Sequence, residues 1–217
     1  MKKLLAITSL AMMLFVSNAM AEARFGFSLS YATVDATGSE TEGGEKTNGS
    51  ASNEVFIPSI FIEAVNGPFA VGLDYIPIDA DVSNATKSRT DTETSVTGTA
   101  TTTSTSRTQK AQASLQDHIT LYANYSMTDR YYLKGGIANV TLVTEESLGT
   151  GSKYGDEDVL GYLFGFGITD GNSRLELSYT DYEDISITSS VARTGVTTNN
   201  KIEADLDVLQ IKYSYAF

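Results

Sequence analysis

The sequence predicts an all-β chain, an eight-stranded antiparallel up-and-down transmembrane β-barrel. Three observations carry this. The closing stretch, residues 208–217, puts Leu209, Ile211, Tyr213, Tyr215 and Phe217 on one face and Gln210, Lys212, Ser214 and Ala216 on the other, the period of a strand. Seven more runs are apolar enough to be strands, and most alternate the same way. The connections between the eight runs are alternately long and polar or short and turn-like, which is how an up-and-down barrel separates its two ends.

The chain opens with Lys2 and Lys3, an apolar run over residues 4–16, and Ala19-Met20-Ala21. These are the three parts of a secretory signal, with cleavage expected after Ala21. The run is too short for a membrane-spanning helix, which takes about 20 residues. No later stretch reaches that length, so any membrane crossing rests on strands. The expected mature chain, residues 22–217, suffices for one barrel. Losing Lys2 and Lys3 takes its formal charge from −12 to −14, which argues against nucleic acid as a partner. There is no cysteine, so backbone pairing and packing must supply the stability.

Residues 24–35 set Phe25, Phe27, Leu29 and Tyr31 against Gly26, Ser28, Ser30 and Ala32. Residues 55–65 are apolar but irregular: Phe56, Ile60 and Ile62 compete with Val55, Ile57 and Phe61, and a bulge is expected near Pro58. Asn66-Gly67 is a hairpin signal. Residues 69–78 place Phe69, Val71, Leu73 and Tyr75 opposite Ala70, Gly72 and Asp74. Residues 115–127 place Ile119, Leu121, Ala123 and Tyr125 opposite His118, Thr120, Tyr122 and Asn124. After the turn Thr128-Asp129-Arg130, residues 131–143 set Leu133 and Ile137 against Lys134, Gly136 and Ala138. Residues 159–169 set Leu160, Tyr162, Phe164 and Phe166 against Gly161, Leu163, Gly165 and Gly167. Asp170-Gly171-Asn172 turns the chain into residues 174–187, where Leu175, Leu177 and Tyr179 oppose Glu176, Ser178 and Thr180. The last strand covers residues 201–217.

Four long polar segments remain, at about 36–53, 79–114, 144–158 and 188–201. They are expected to be extracellular loops, with both termini in the periplasm. The second contains the low-complexity run Thr97-Gly-Thr-Ala-Thr-Thr-Thr-Ser-Thr-Ser-Arg107. It reads as a loosely paired or disordered loop whose flanks could extend neighbouring strands.

The rival is a soluble barrel with its large residues inside. A water-facing surface rarely spends so many positions on Gly, Ala, Ser and Thr, whereas the narrow interior of an eight-stranded barrel needs small residues. Closure also pairs every backbone donor and acceptor without water, as a bilayer requires. The bulky face is therefore expected to meet lipid.

The signal at residues 1–21, the eight alternating runs and the terminal Tyr213-Ser-Tyr-Ala-Phe217 together resemble the small outer-membrane β-barrels of Gram-negative bacteria, the OmpA/OmpX and opacity-protein type. The resemblance implies residence among outer-membrane lipid and lipopolysaccharide. Its closing strand is similar to the tag read by the barrel-assembly machinery, with Tyr213, Tyr215 and Phe217 as the anchoring and assembly residues. Activities in the family run from adhesion to passive stabilisation, and fold does not choose among them.

Asp74, His118, Lys134, Glu176 and Lys212 share the inward face, with Arg24 and Arg174 in phase near the short-turn end. Buried charges need partners, so these residues are expected to form a polar network plugging the lumen. The alternative is a conducting path, a narrow porin. A third reading takes His118 and Thr120 as base and nucleophile of a lipid-modifying enzyme, but strand geometry gives that spacing to any i, i+2 pair. Acidic residues crowd the long segments, among them Glu40, Glu42, Glu145, Glu146, Asp156 and Asp158. They read as a solvated, repulsive surface, with divalent-cation bridging as the functional alternative; no ligand spacing singles out a metal site, and Gly149-Thr-Gly-Ser-Lys153 lacks P-loop spacing. The expected role is non-enzymatic and cofactor-free: envelope structure, or contact with an extracellular ligand through the long loops.

Overall fold

The structure is a computed structural model. It describes residues 22–42, 45–97, 99–147, 154–188 and 201–217, and within these not the side chains at 36, 38–42, 45–47, 49, 51, 81–113 and 145–147. The signal at residues 1–21 lies outside the described residues.

Ten strands follow in order: β1 (Glu22–Glu42), β2 (Glu45–Asn66), β3 (Phe69–Tyr75), β4 (Ala80–Thr97), β5 (Thr99–Ser126), β6 (Tyr131–Ser147), β7 (Glu157–Asp170), β8 (Ser173–Tyr182), β9 (Ile185–Thr188) and β10 (Lys201–Ala216). Eight of them form the wall, in the order β1-β2-β3-β5-β6-β7-β8-β10, and β10 pairs back to β1 from Gly26↔Ala216 to Thr41↔Lys201. The sheet is closed and antiparallel throughout. β4 continues the line of β3 after a break at residues 76–79, and β9 continues β8 after residues 183–184.

The short connections are tight because their residues permit it. Gly67 and Gly171 have φ of 57° and 60°, a region that glycine enters without a Cβ penalty. At the other end the strands run well past the expected loop boundaries. The segment expected as a loop at 36–53 is ladder on both arms, from Ala36↔Ala51 to Glu42↔Glu45. The segment at 79–114 is a hairpin, β4 on β5, paired from Ala80↔Leu115 to Thr97↔Thr99. β-Branched threonine suits an extended backbone even where no apolar face drives burial, so low complexity here accompanies pairing. The expected loop at 144–158 shortens in the same way, β6 reaching Ser147 and β7 starting at Glu157, while 148–153 and 189–200 lie outside the described residues.

No bulge occurs at Pro58. The β1–β2 register is continuous through Leu29↔Pro58. On the other side, the β2–β3 ladder begins only at Ile60↔Tyr75, so Pro58 stands beyond its end and its missing N–H interrupts no pair there. The wall is instead bulged in β5. Asp117 and His118 together oppose the single residue Val140, and Asp117 has φ 51°. The bulge shifts parity: Leu115 is buried below it in the sequence, whereas Thr120, Tyr122 and Asn124 are buried above it.

The outer face is an apolar belt. Phe25, Phe27, Leu29, Phe56, Ile60, Phe69, Leu133, Phe164, Leu177, Ile211 and Phe217 are all exposed, Phe164 by 70%. A soluble chain does not present a continuous girdle of this kind. The inner face is layered. Towards the short turns it is polar and charged; towards the long segments it is an apolar cluster that includes Val34, Leu115, Val140, Val159, Tyr182 and Leu206.

The interior is not uniformly small. Large rings enter it, each lying over a glycine of the neighbouring strand. A Cβ at Gly26 would come within 2.5 Å of Phe61 Cζ, one at Gly72 within 2.5 Å of Tyr122 Oη, and one at Gly161 within 2.7 Å of Tyr182 Cδ1. Gly167 stands in the same relation to Tyr132. These four inward glycines are therefore floor space for aromatic rings.

Candidate functional site in the barrel lumen

All five residues expected in the lumen network point inward. Asp74, Lys134, Glu176 and Lys212 are buried, and His118 is partly so. Four of them form two of the three ion-pair ties that join wall strands. Lys212 Nζ donates to Asp74 Oδ2 at 2.9 Å, joining β10 to β3. Lys134 Nζ donates to Glu176 Oε1 at 3.2 Å, and Tyr132 Oη donates to Glu176 Oε2 at 3.0 Å. This second tie passes over β7, where the facing positions are Gly165, opposite Lys134, and Gly167, opposite Glu176. Lys134 Nζ also lies 3.9 Å from the centre of the Tyr122 ring, a cation–π contact.

The third tie was not expected, and Glu63 is its centre. Arg174 donates to Glu63 through Nη1 at 2.6 Å and Nη2 at 2.8 Å. Tyr122 Oη and Asn124 Nδ2 donate to the same carboxylate at 2.9 and 3.2 Å. Glu63 is 1% exposed. The irregular pattern of β2 hid it, because large residues fall on both faces of that strand. With the wall closed its parity is plain: Ile57, Ser59, Phe61 and Glu63 face in. The demand of Arg174 for a carboxylate was the available signal.

Arg24 does not join the network. It pairs with Glu22 at 3.1 Å at the start of β1, beside the short turns, and the guanidinium holds the Glu22 carboxyl below its ordinary range. Among the described residues the lumen therefore holds three carboxylates and three cations, matched one to one. Matched, hydrogen-bonded charges satisfy the demands of burial and leave no net charge to draw an ion inward.

His118 Nε2 shares a 2.8 Å hydrogen bond with Tyr182 Oη, and its Nδ1 is buried without a partner. Neither nitrogen engages Thr120, so no base–nucleophile pair forms between them. Among the described residues no group of three acidic or histidine side chains gathers as a metal site.

Tyr213 and Phe217 are exposed on the outer face, and Tyr215 is half-buried beside them. Phe217 stacks on Phe25 at 5.4 Å and meets Tyr215 edge-on at 5.0 Å, while Tyr215 lies 6.2 Å from Phe27. The last strand thus closes the barrel through an aromatic seam against the first.

The fold is that of the small eight-stranded outer-membrane barrels. The outer-membrane protein OprG of Pseudomonas aeruginosa superposes with a TM-score of 0.52 at 15% identity, over 91% of this chain and 97% of that one. The outer-membrane protease OmpT of Escherichia coli gives 0.47 at 11%, over 93% and 99%. Ail, the attachment invasion locus protein of Yersinia pestis, gives 0.42 at 13%, over 90% and 99%. No family model and no curated protein matches the chain. Likeness at this identity concerns architecture, and activity has to be argued from the site.

Proposed function

We propose that the chain is a non-enzymatic outer-membrane barrel whose lumen is closed. In this reading it serves envelope structure or surface contact through the long hairpins on the side away from the termini. Its surroundings are outer-membrane lipid and lipopolysaccharide, its insertion uses the barrel-assembly machinery, and an extracellular ligand would meet the hairpins. The long segments then lie outside and the termini in the periplasm. Export would be directed by residues 1–21.

One observation carries the reading. Three ion-pair ties cross the lumen between β2 and β8, β3 and β10, and β6 and β8, and an apolar cluster lies beyond them. A pore needs a continuous wet path, and the three matched ties stand across such a path among the described residues. The apolar belt favours lipid around the wall. The bonding of His118 to Tyr182 instead of Thr120 favours a structural histidine.

Refolded protein in a planar bilayer tests this. The closed-lumen reading expects no discrete conductance steps at moderate voltage. Regular single-channel steps that persist at low protein density would establish the narrow porin in its place. Incubation with labelled phospholipid or lipopolysaccharide tests the enzymatic alternative, and acyl release lost on His118→Ala would revive it.

A further inference from the structure

The β4–β5 hairpin outruns the rest of the wall. The highest row that β5 shares with β6 is Lys110↔Ser147, and β4 pairs with β5 alone among the described residues. From Lys87↔Gln109 to Thr97↔Thr99 the hairpin is therefore a two-stranded arm with a free edge on each side. At about 3.3 Å per residue, Thr99 stands roughly 36 Å along the strand from Lys110. A free edge presents unpaired N–H and C=O groups to any extended chain. Two strands alone are marginal in water, so such an arm gains from a further strand.

The two edges are guarded differently. Natural strand edges are blunted by charge, proline or a bulge. The β4 arm carries Lys87, Arg89, Asp91 and Glu93 at alternate positions. The outer half of the β5 arm, Thr99-Ala-Thr-Thr-Thr-Ser-Thr-Ser106, has no charge, no proline and no glycine, and its ladder with β4 runs without a register shift. Charge returns only at Arg107. Threonine favours the extended backbone, and high strand propensity without net charge is the composition in which identical segments pair with one another. Electrostatics points the same way. The chain is acidic overall, so copies repel, but screening confines that repulsion to about 8 Å at physiological salt. The arm carries its neutral edge well beyond that distance, and on β4 the charges of Lys87 and Arg89 balance those of Asp91 and Glu93.

We propose that residues 99–106 are a docking edge for a second copy of this chain, the β5 arms of two molecules pairing antiparallel between facing outer membranes. The inference rests on the reading in which the long hairpins lie outside. In the proposed register Thr99 of one copy meets Ser106 of the other, Thr101 meets Ser104, and Thr102 meets Thr103, an isologous contact about a two-fold axis. Neighbours in one membrane send their β5 arms the same way, whereas arms from opposed membranes run antiparallel. The product is a four-stranded sheet whose outer edges are the charged β4 arms, so growth stops at the pair. One such contact is weak, and many copies on each surface make it effective.

Vesicle tethering tests this. The refolded barrel is placed in two vesicle populations carrying different dyes, in about 0.15 M salt, and tethering is read as cross-correlated fluorescence. The expected result is tethering when both populations carry the barrel and none when only one does. Thr102→Lys with Thr103→Lys sets like charges opposite one another in the proposed register, and tethering between two populations of that variant is lost. Thr102→Asp with Thr103→Asp loses it likewise, and mixing the two variants, one in each population, restores it. That rescue rules out a misfolded arm as the cause of the loss, and the compact band on unheated gels checks insertion. No tethering by the unsubstituted barrel, tethering with protein on one side only, tethering retained between the lysine variants, or no rescue in the mixture each overturns the proposal. Discrete conductance steps in planar bilayers would sink the closed-lumen reading and leave the pairing standing, whereas absent tethering with silent bilayers sinks the pairing alone.

Discussion

Arg174 clasps Glu63 across the lumen with both terminal guanidinium nitrogens, at 2.6 and 2.8 Å, although the two residues lie 111 positions apart in the chain. The fork of arginine matches a carboxylate in this geometry. The pair joins β8 to β2, two strands that are not neighbours in the wall. Removing one partner leaves the other without its counter-charge, and Glu63 is buried. Arg174→Met is expected to cost about 3–5 kcal/mol, the range for breaking a buried ion pair. The double variant with Glu63→Gln should recover much of that loss. Urea titration in lipid vesicles, following the compact folded band on unheated gels, measures both.

The ring-over-glycine packing predicts a steric coupling. A methyl at Gly72 would come within 2.5 Å of Tyr122 Oη. Gly72→Ala should lower stability by about 1–3 kcal/mol, as overpacking does. Tyr122→Ala in the same background should remove that penalty, although Tyr122→Ala alone loses the bond to Glu63. A double-mutant cycle isolates the term, and additivity would show that the ring moves aside freely.

Much of this interior was legible before any coordinates. In β1, β7, β8 and β10 the two faces differ so sharply in size that parity follows from the sequence, and with it the positions of Glu176 and Lys212. Legibility fails where size stops marking the face. In β2, Ile57 and Phe61 are large yet inward because Gly26 makes room for the Phe61 ring, so Glu63 could not be placed. Such a pairing lies between strands, and a single strand does not show it. The bulge at Asp117–His118 was equally hidden, since nothing in Gln116-Asp117-His118 announces one extra residue. The β4–β5 pairing was legible only as a possible extension of the flanking strands, because a polar, threonine-rich stretch gives no alternation of hydropathy even when its backbone is paired along its length.

The bulge carries its own prediction. Asp117 has φ 51°, a region where a β-branched side chain is strained. Asp117→Val should lose about 1–2 kcal/mol, whereas Asp117→Gly should be tolerated or slightly stabilising. Thermal unfolding in detergent separates the two. Equal behaviour would mean that the bulge relaxes on substitution.

At the closing seam, Phe217 stacks on Phe25 and packs against Tyr215. Phe217→Asp removes an aromatic contact of about 0.5–1.5 kcal/mol and places a charge on the lipid-facing wall. Insertion into preformed vesicles should slow, and surface display in cells should fall. Normal display would show that the terminal ring is dispensable for assembly.

The account rests on which solvent surrounds the wall. The chain has no cysteine, so single cysteines can carry a nitroxide at successive positions of β8, from residue 174 to 182. In bilayers the account predicts period-two alternation, with labels at Leu175, Leu177 and Tyr179 reached by dissolved oxygen and shielded from a water-soluble nickel complex, and labels at Glu176, Ser178 and Thr180 reached poorly by oxygen. The opposite phase, or labels at Leu175, Leu177 and Tyr179 reached freely by the nickel complex, would contradict it.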